Sequence, residues 1–349
     1  MRVGIDGKPL FPPRTGVYRY TAGLLRGLEA LAPEGLEVVV VKPQRPRRTL
    51  PWVLWTLQRQ TSKDFSVFHC PFYYPPLVPS CPVTVAIHDV LVLTHPHWFP
   101  RAWGNTLRWL IPQGARRAAA VIAGSRWVAE EIATICRIPR QRIRVVPYGV
   151  DHGLFFPPSQ ERKKRCSEIF GLHRPYLLMA GALEPRRGVQ TVLRAMEGLH
   201  RRYPELELVL VGNERAPVSA LASPPPWVRR LGFVEDSWLP PLYAGAEAVV
   251  AASLGEGFDL PVLEALACGA VVVASDIPVH QEIFTGAVRF FPAGDPEGLA
   301  SVLEEVLEAL PLQASLRQAG IVLARAFTWE RAAQEHWDLW QELVCKQRQ

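Results

Sequence analysis

Two glutamates, Glu256 and Glu264, bracket the run Gly257-Phe258-Asp259-Leu260-Pro261-Val262-Leu263. The run has the marks of a loop turning into a helix. Ala248 to Ser253 before it is apolar and of strand length, which suits a buried parallel strand. Gly255 and Gly257 permit backbone angles that other residues avoid, and Pro261 suits a first helical turn, where its missing N–H is no loss. The spacing predicts a helix from about Pro261 to Ala267, stopped by Gly269, with Glu256 in the loop and Glu264 one turn inside the helix. Free N–H groups at a helix start favour an anion, so phosphate is the natural guest. The two acids then flank it, ready to accept hydrogen bonds from the hydroxyls of a phosphate-bearing ligand. The plainer alternative is a solvated loop glutamate and a second that only complements the helix dipole.

Three other places carry chemistry. Arg186 and Arg187, in Glu184-Pro185-Arg186-Arg187-Gly188, stand at the start of a helical pattern, where a cation opposes the dipole. That placement makes sense if they grip a phosphate through bidentate guanidinium contacts; otherwise they form an exposed basic turn. His88-Asp89 follows a strand, and of the nine histidines only His88 has an acid beside it at a strand's carboxyl end. Gly16 lies in the loop between the first strand and the first helix. No G-x-G-x-x-G follows the first strand and no Walker lysine loop occurs, which disfavours a dinucleotide dehydrogenase and a P-loop enzyme. Without an Asp-x-Asp, a metal held between paired aspartates is not indicated. Cys70, Cys81, Cys136, Cys166, Cys268 and Cys345 form no C-x-x-C pair and read as reduced packing residues.

The elements that must position these groups alternate. Val3 to Ile5, Leu36 to Val41, Val67 to His69, Val83 to Ile87, Ala119 to Ala123 and Ile143 to Val146 read as strands, with helices carrying Tyr20, Leu24 and Leu28, and from Arg126 to Arg137. Trp52, Trp55 and Leu57 suit a short helix. A second series begins at Tyr176 to Ala180 and continues with Leu206 to Val211, Arg229 to Phe233, Ala248 to Ser253, Ala270 to Ala274 and Val288 to Phe291. Long helical patterns at Pro296 to Leu310 and Leu316 to Ala324 close it. Strand and helix in alternation favour parallel doubly wound sheets. A chain of 349 residues is long enough for two such domains. Ligands of these sheets bind beyond the carboxyl ends of the strands, which is where the four groups of residues fall. The tail from Trp329 to Val344 is amphipathic, with Trp337, Leu339, Trp340 and Leu343 spaced for packing.

A hydrophobic content of 48% with 21% charged residues describes a globular chain rather than a disordered one. The strand-like start leaves no place for a signal peptide, and no apolar run reaches transmembrane length, so the expectation is a cytoplasmic protein. Residues 1–165 hold 24 Lys and Arg against 10 Asp and Glu, a balance of +14, whereas the remainder balances at −8. The basic half suits nucleic acid, an anionic membrane surface or a phosphate-bearing acceptor. The same arginine- and proline-rich composition also fits a heat-adapted or GC-rich source.

In order and spacing, four stretches resemble glycosyltransferase family 4. They are Val3-Gly4-Ile5-Asp6-Gly7 with Arg14 to Tyr20; Arg144-Val145-Val146-Pro147-Tyr148-Gly149-Val150-Asp151; Gly181 to Gly188; and Glu256 to Glu264, with Phe327 to Arg331 before the last helix. The resemblance implies a GT-B fold: two Rossmann-like domains facing across a cleft, divided as 1–168 for the acceptor and 169–327 for the nucleotide sugar, with 328–349 returning to the first. It implies transfer with retention of configuration, without a metal or other cofactor. By the same resemblance Glu256 lies near the donor sugar hydroxyls, Glu264 at the ribose, and Arg186 and Arg187 on the diphosphate. Gly16 then lets backbone approach the donor phosphate or the acceptor, His88 stands beside the donor sugar, and Asp89, Gly257, Phe258, Asp259 and Leu260 join the donor site. Three departures matter. Ala182 replaces a phosphate-binding arginine common in relatives, Arg187 replaces a common lysine, and Asp259 replaces the usual glycine, where it either reads a sugar hydroxyl or caps the helix.

The resulting expectation is a hexosyltransferase of polysaccharide biosynthesis, using a donor of mannose or glucose type and a glycan or lipid-linked acceptor. No nucleic acid is expected as partner. Trp98, Arg101, Trp103, Arg108 and Trp109 in the basic half suit peripheral contact with the inner face of an anionic membrane, or simply pack inside. A GT-B phosphorylase, a nucleotide-sugar epimerase and a catalytically silent nucleotide-sugar-binding module are the rival readings.

Overall fold

The computed structural model of the chain describes residues 1–12, 15–43, 52, 57, 64–76, 78–214, 216 and 221–348. Expectations resting on Arg14, on the basic run to Arg48, on Trp55 and on the Trp103 side chain lie outside the described residues. Two compact units form: Met1–Gly149 with Phe327–Gln349, and Val150–Ala326.

The first unit is built on a parallel sheet of β1 (Arg2–Asp6), β2 (Glu37–Val41), β3 (Val67–Cys70), β4 (Val83–Ala86), β5 (Ala120–Ala123) and β6 (Ile143–Val145), ordered β2-β1-β3-β4-β5-β6. Strands β3, β4 and β5 are buried throughout, as expected where helices cover both faces. Its helices are α1 (Gly16–Leu31), α2 (Leu91–Thr94), α3 (Arg101–Arg117) and α4 (Arg126–Cys136). Thr15 and Ser125 start α1 and α4 by accepting N–H hydrogen bonds from Tyr18 and Val128. Helix α3, with Pro112 inside it, was not signalled by any apolar period. It leaves Trp109 55% exposed beside Arg108, so this tryptophan does not pack inside.

The second unit holds α5 (Gln160–Phe170), β7 (Tyr176–Ala180), α6 (Val189–Arg202), β8 (Glu207–Val211), β9 (Val228–Gly232), α7 (Leu239–Gly245) and β10 (Ala248–Ala251). It continues with α8 (Leu260–Ala267), β11 (Val272–Ser275), α9 (Pro278–Phe284), β12 (Arg289–Phe291), α10 (Pro296–Glu308) and α11 (Leu310–Arg325). The strands run parallel in the order β12-β11-β10-β7-β8-β9. Counted within the unit this is 6-5-4-1-2-3, so strand order reverses between β7 and β10, which pair through Val249 and Leu178. Crevices for ligands open beyond the carboxyl ends of strands at such a reversal.

The boundary differs from the expected division at 168. Helix α5 packs on α7, and the Arg229 guanidinium donates to the carbonyls of Gly171 and Phe170 at 2.7 and 3.0 Å. The segment from Asp151 to Arg174, where Pro157-Pro158 and the charged run Glu161 to Arg165 suggest an interdomain linker, therefore belongs to the second unit. Helix α11 starts six residues before the expected Leu316, because Pro311 fits its first turn instead of breaking it.

The final helix, α12 (Trp329–Arg348), returns to the first unit and lies on α1. Gly23 and Gly27, one turn apart on α1, make this possible. A Cβ at Gly23 would collide with the Trp329 indole, and one at Gly27 with the Trp329 carbonyl. Trp337, Leu339 and Trp340 are buried, and Arg144 grips Glu342 with two hydrogen bonds of 2.6 and 2.7 Å.

Candidate active site

At the β7/β10 reversal the loop after β7 ends in a tight turn, Pro185–Arg187, closed by Gly188 at φ 70°. A Cβ at Gly188 would collide with the Ala252 carbonyl just beyond β10, so glycine is required there by conformation and by space. The close approach sets the turn against the loop after β10, and the Leu254 N–H donates to the Arg186 carbonyl at 2.8 Å. Two loops far apart in sequence are thereby laced together, and both arginines are carried to the acids.

The side chains form one ionic cluster. Arg186 meets Glu184 at 2.6 Å and Glu256 Oε1 at 3.3 Å, and donates to the Gly255 carbonyl at 3.2 Å. Arg187 Nη1 lies 2.8 Å from Glu256 Oε1 and 3.0 Å from Asp259 Oδ1. Ser253 adds a hydroxyl bond of 2.9 Å to the same Glu256 oxygen. Burial disfavours the charge of Arg187, but Glu256 and Asp259 outweigh it and hold the guanidinium above its ordinary range. Its Nε is buried and has no acceptor among the described residues. One edge of Arg187 is clamped by acids while another keeps a donor, an arrangement that fits an anion arriving from outside the protein.

The helix after Glu256 runs from Leu260 to Ala267, within one residue of the expected start. Asp259 occupies its N-cap position but does not cap it: the residue is left-handed (φ 71°, ψ 67°) and its side chain accepts no helix N–H. Instead Oδ1 takes Arg187 and Oδ2 lies 3.1 Å from His280 Nε2. Burial would favour the neutral acid, yet Arg187 and His280 together hold the carboxyl below the usual carboxylate range. The cluster of free N–H groups expected at the helix start is smaller than anticipated. Val262 and Leu263 both donate to the Asp259 carbonyl, at 3.1 and 3.5 Å, and Pro261 has no N–H. Of the first turn, the Leu260 N–H is left without an acceptor among the described residues.

Gly257 is buried, and the Phe258 and Leu260 side chains are only 3% and 7% exposed, so they anchor the loop. Glu264 lies one turn into α8, buried, with the Tyr243 hydroxyl 3.4 Å from its Oε2. His280 escaped the sequence reading, although it stands one turn into the helix after β11, the strand beside β10. That address at a strand's carboxyl end was the available signal. Among the described residues no group of three or more His, Cys, Asp and Glu side chains is arranged to hold a metal ion.

Gly16, His88 and Asp89 belong to the first unit. Outside its chain neighbours and its own helix backbone, no described atom lies within 4 Å of where a Gly16 Cβ would stand, so packing against the rest of the protein does not demand glycine there. His88 has both ring nitrogens engaged: Nε2 donates to the Pro71 carbonyl at 2.7 Å, and Nδ1 accepts from the Tyr148 hydroxyl at 2.7 Å. Burial lowers its pKa, favouring the neutral ring. Asp89 Oδ1 accepts from the Leu91 N–H at 3.0 Å and Oδ2 from the Tyr73 hydroxyl at 3.4 Å.

Behind these residues lies a polar chain that the sequence did not signal. His336 Nδ1 faces the Ala332 carbonyl, so its N–H is there and its Nε2 accepts from the Tyr20 hydroxyl at 2.7 Å. Tyr20 then accepts from His69 Nε2 at 3.1 Å, His69 Nδ1 accepts from Thr84 at 3.0 Å, and Thr84 accepts from the Trp340 N–H at 3.2 Å. Every proton has one place, and both histidines are neutral. Burial pushes His69 well below its ordinary value and His336 down to about 4.

Residues 174–309 match the family model described as "Glycosyl transferases group 1", and residues 17–154 the one described as "Glycosyltransferase Family 4". O-antigen chain mannosyltransferase B of Escherichia coli is 27% identical over 279 residues, covering 77% of this chain and 72% of that protein. A D-inositol 3-phosphate glycosyltransferase of Jonesia denitrificans is 27% identical over 242 residues, 63% of this chain. The chain spans 56% of that protein's length and 32% of the serotype-specific mannosyltransferase WbdA of Escherichia coli. Among solved structures, Anabaena HepE in complex with UDP-glucose superposes with a TM-score of 0.79 at 18% identity, covering 98% of this chain and all of that one. Sucrose-phosphate synthase from Thermosynechococcus elongatus gives 0.80 at 19% identity, covering 99% of this chain and 100% of that one. The expected GT-B fold is the fold these structures share with the chain.

Proposed function

This chain belongs to glycosyltransferase family 4 and is a glycosyltransferase, and we propose that it moves a hexose of the mannose type from a nucleoside diphosphate sugar to a glycan. The observation that carries the proposal is the ionic cluster at the β7/β10 reversal, where Arg187 keeps a buried Nε donor beside the start of α8. The mannosyltransferase named among the relatives supports the sugar; the UDP-glucose complex of HepE supports a nucleotide-sugar donor in this fold.

The chemistry is leaving-group stabilisation. As the bond from the anomeric carbon to the diphosphate breaks, negative charge grows on the phosphate oxygens. Arg186, Arg187 and the Leu260 N–H are the donors that meet it, each worth ~3 to 4 kcal/mol of barrier when preorganised. Glu256 Oε1 already accepts from Ser253, Arg186 and Arg187, which suits a group that orients sugar hydroxyls rather than one that attacks carbon. Transfer then follows a front-face route without a metal. The acceptor oxygen bonds to the anomeric carbon on the side the diphosphate leaves, its proton passes to the departing phosphate oxygen, and configuration is retained. Glu264 takes the ribose hydroxyls. In the first unit, Gly16 leaves space beside its backbone for a ligand, and the His88 ring, its nitrogens engaged, suits a shape role rather than proton transfer.

A lipid-linked acceptor at an anionic membrane is the partner we favour, supported by exposed Trp109 on the helix that also carries exposed Arg101, Arg108, Arg116 and Arg117. No helix among the described residues is long and apolar enough to cross a membrane. Salt-sensitive binding to anionic vesicles is the expected result; no binding at low salt removes the membrane.

A thermal-shift screen of GDP-mannose, UDP-glucose, UDP-galactose and UDP-N-acetylglucosamine, with and without EDTA, tests the donor. Stabilisation by GDP-mannose irrespective of EDTA is expected. Stabilisation by sugar 1-phosphates but by no nucleotide sugar would point to a phosphorylase instead.

A further inference from the structure

Asp259 stands where the backbone is left-handed, a conformation glycine adopts freely and an aspartate only at a cost. Its carboxylate is 1% exposed and lies between Arg187 Nη1 at 3.0 Å and His280 Nε2 at 3.1 Å. We propose that Asp259 and His280 are a positioning pair that aims Arg187 at the diphosphate of the donor; this rests on the donor site proposed above.

The hydrogen bonds around His280 fix the ring on both sides. Nε2 faces a carboxylate oxygen. Nδ1 faces the Ser275 carbonyl at 2.9 Å and the Ser275 hydroxyl oxygen at 3.3 Å. That hydroxyl cannot donate to the ring, because its proton goes to the Ser253 carbonyl at 2.6 Å. Every neighbour of the imidazole is an acceptor, so both ring nitrogens are placed to donate. The ring joins the carboxyl groups of Glu184, Glu256 and Asp259 and the guanidinium groups of Arg186 and Arg187 in one connected set of contacts.

The consequence lies in Arg187. With Glu256 alone on Nη1 the guanidinium keeps freedom to rotate about that contact. A second carboxylate on the same nitrogen, fixed in turn by His280 on α9, removes it and holds the remaining edge of the guanidinium in one direction. Ser275 ties the arrangement back to Ser253, next to Glu256. A planar, bidentate donor loses little further freedom on meeting phosphate when it is already aimed. The expense of a left-handed aspartate is repaid in donor affinity, not in helix capping.

The test is a binding cycle on the full chain, with UDP and GDP as probes in titration calorimetry. D259G/H280L removes both members of the pair together and relieves the left-handed backbone at position 259; a melting temperature close to wild type verifies that the variant folds. Affinity for the nucleoside diphosphate is expected to fall about tenfold, the size of coupling between neighbours in one network. Placed in an R187A background, the same double substitution is expected to change affinity no further. An equal loss in both backgrounds, or no loss in either, overturns the pair's role while leaving the donor site standing. Wild type that binds neither UDP nor GDP overturns the donor site and the pair together. As a further check, H280Q keeps a donor near Nε2 and is expected to recover part of the affinity that H280L loses; no difference between them counts against His280.

Discussion

Arg187 Nη1 lies 2.8 Å from Glu256 Oε1, joining residues that are 69 positions apart through two loops laced at Gly188 and Ala252. Each of the pair holds the other in place, so neither should act alone. Turnover is expected to fall about 10²- to 10³-fold in R187A, as for loss of one preorganised donor, and by a similar order in E256A. The double variant should be little worse than the poorer single variant, because the two effects are coupled. Steady-state kinetics on the four proteins checks this; multiplicative losses would mean the residues act independently.

The neutral histidines of the first unit make an acid-sensitive element. His336 has a folded value of about 4 against an ordinary 6.5, so between those values the unfolded chain binds the proton and the folded chain does not. The stabilising contribution is complete above about pH 6.5 and is lost as the pH falls toward 4. Asp6 works in the opposite direction, since burial pushes its carboxyl up to about 6. The histidine contribution is therefore read as a difference. Urea unfolding of wild type and H336Q should show the variant less stable at pH 7.5, with the gap narrowing by roughly 2 to 3 kcal/mol by pH 4.5. A gap independent of pH would show that His336 is not held neutral.

Gly27 brings the backbone of α1 against the Trp329 carbonyl. In G27A the final helix must move outward, at a cost of about 1 to 3 kcal/mol typical of overpacking. Protease cleavage ahead of Trp329 should become faster while the second unit keeps its own resistance. Unchanged cleavage would show that α12 tolerates the extra carbon.

Gly16 predicts the reverse pattern. Because no described atom outside its chain neighbours and its own helix backbone lies within 4 Å of its Cβ position, G16A should keep its melting temperature within about 1 °C, consistent with the small effect of substitutions that disturb no packing. Its transfer rate should nonetheless drop if a ligand uses that space. Full activity in G16A would remove Gly16 from the site.

Much of this architecture was legible because it is local. Runs such as Leu208 to Val211 and Val272 to Ala274 are buried on both faces, and such strands announce themselves as continuous apolar stretches. The placement of Glu256, Arg186 and Arg187 beyond strand ends was legible because such ends are fixed addresses in a doubly wound sheet. What escaped depends on contacts between segments. The partner of Asp259 lies on α9, twenty-one residues away, and nothing in the spacing joins them. Capping was one of the two roles open to Asp259, because capping is what an aspartate does at that position when no buried cation competes. Nothing in the spacing of Gly23 and Gly27 points to Trp329, which packs against both from the far end of the chain. Pro157, Pro158 and the charged run after them suggested a linker, whereas Arg229 draws the end of α5 into the second unit.

The central claim is that the β7/β10 reversal holds the diphosphate of a sugar donor through Arg187. Titration calorimetry of wild type and R187A with GDP-mannose and with UDP-glucose tests it most directly. The account predicts that wild type binds one of the two and that R187A binds it at least about 100-fold more weakly, the loss expected when a charged group in contact with phosphate is removed. Equal affinity in R187A, or a wild type that binds neither donor, would contradict it.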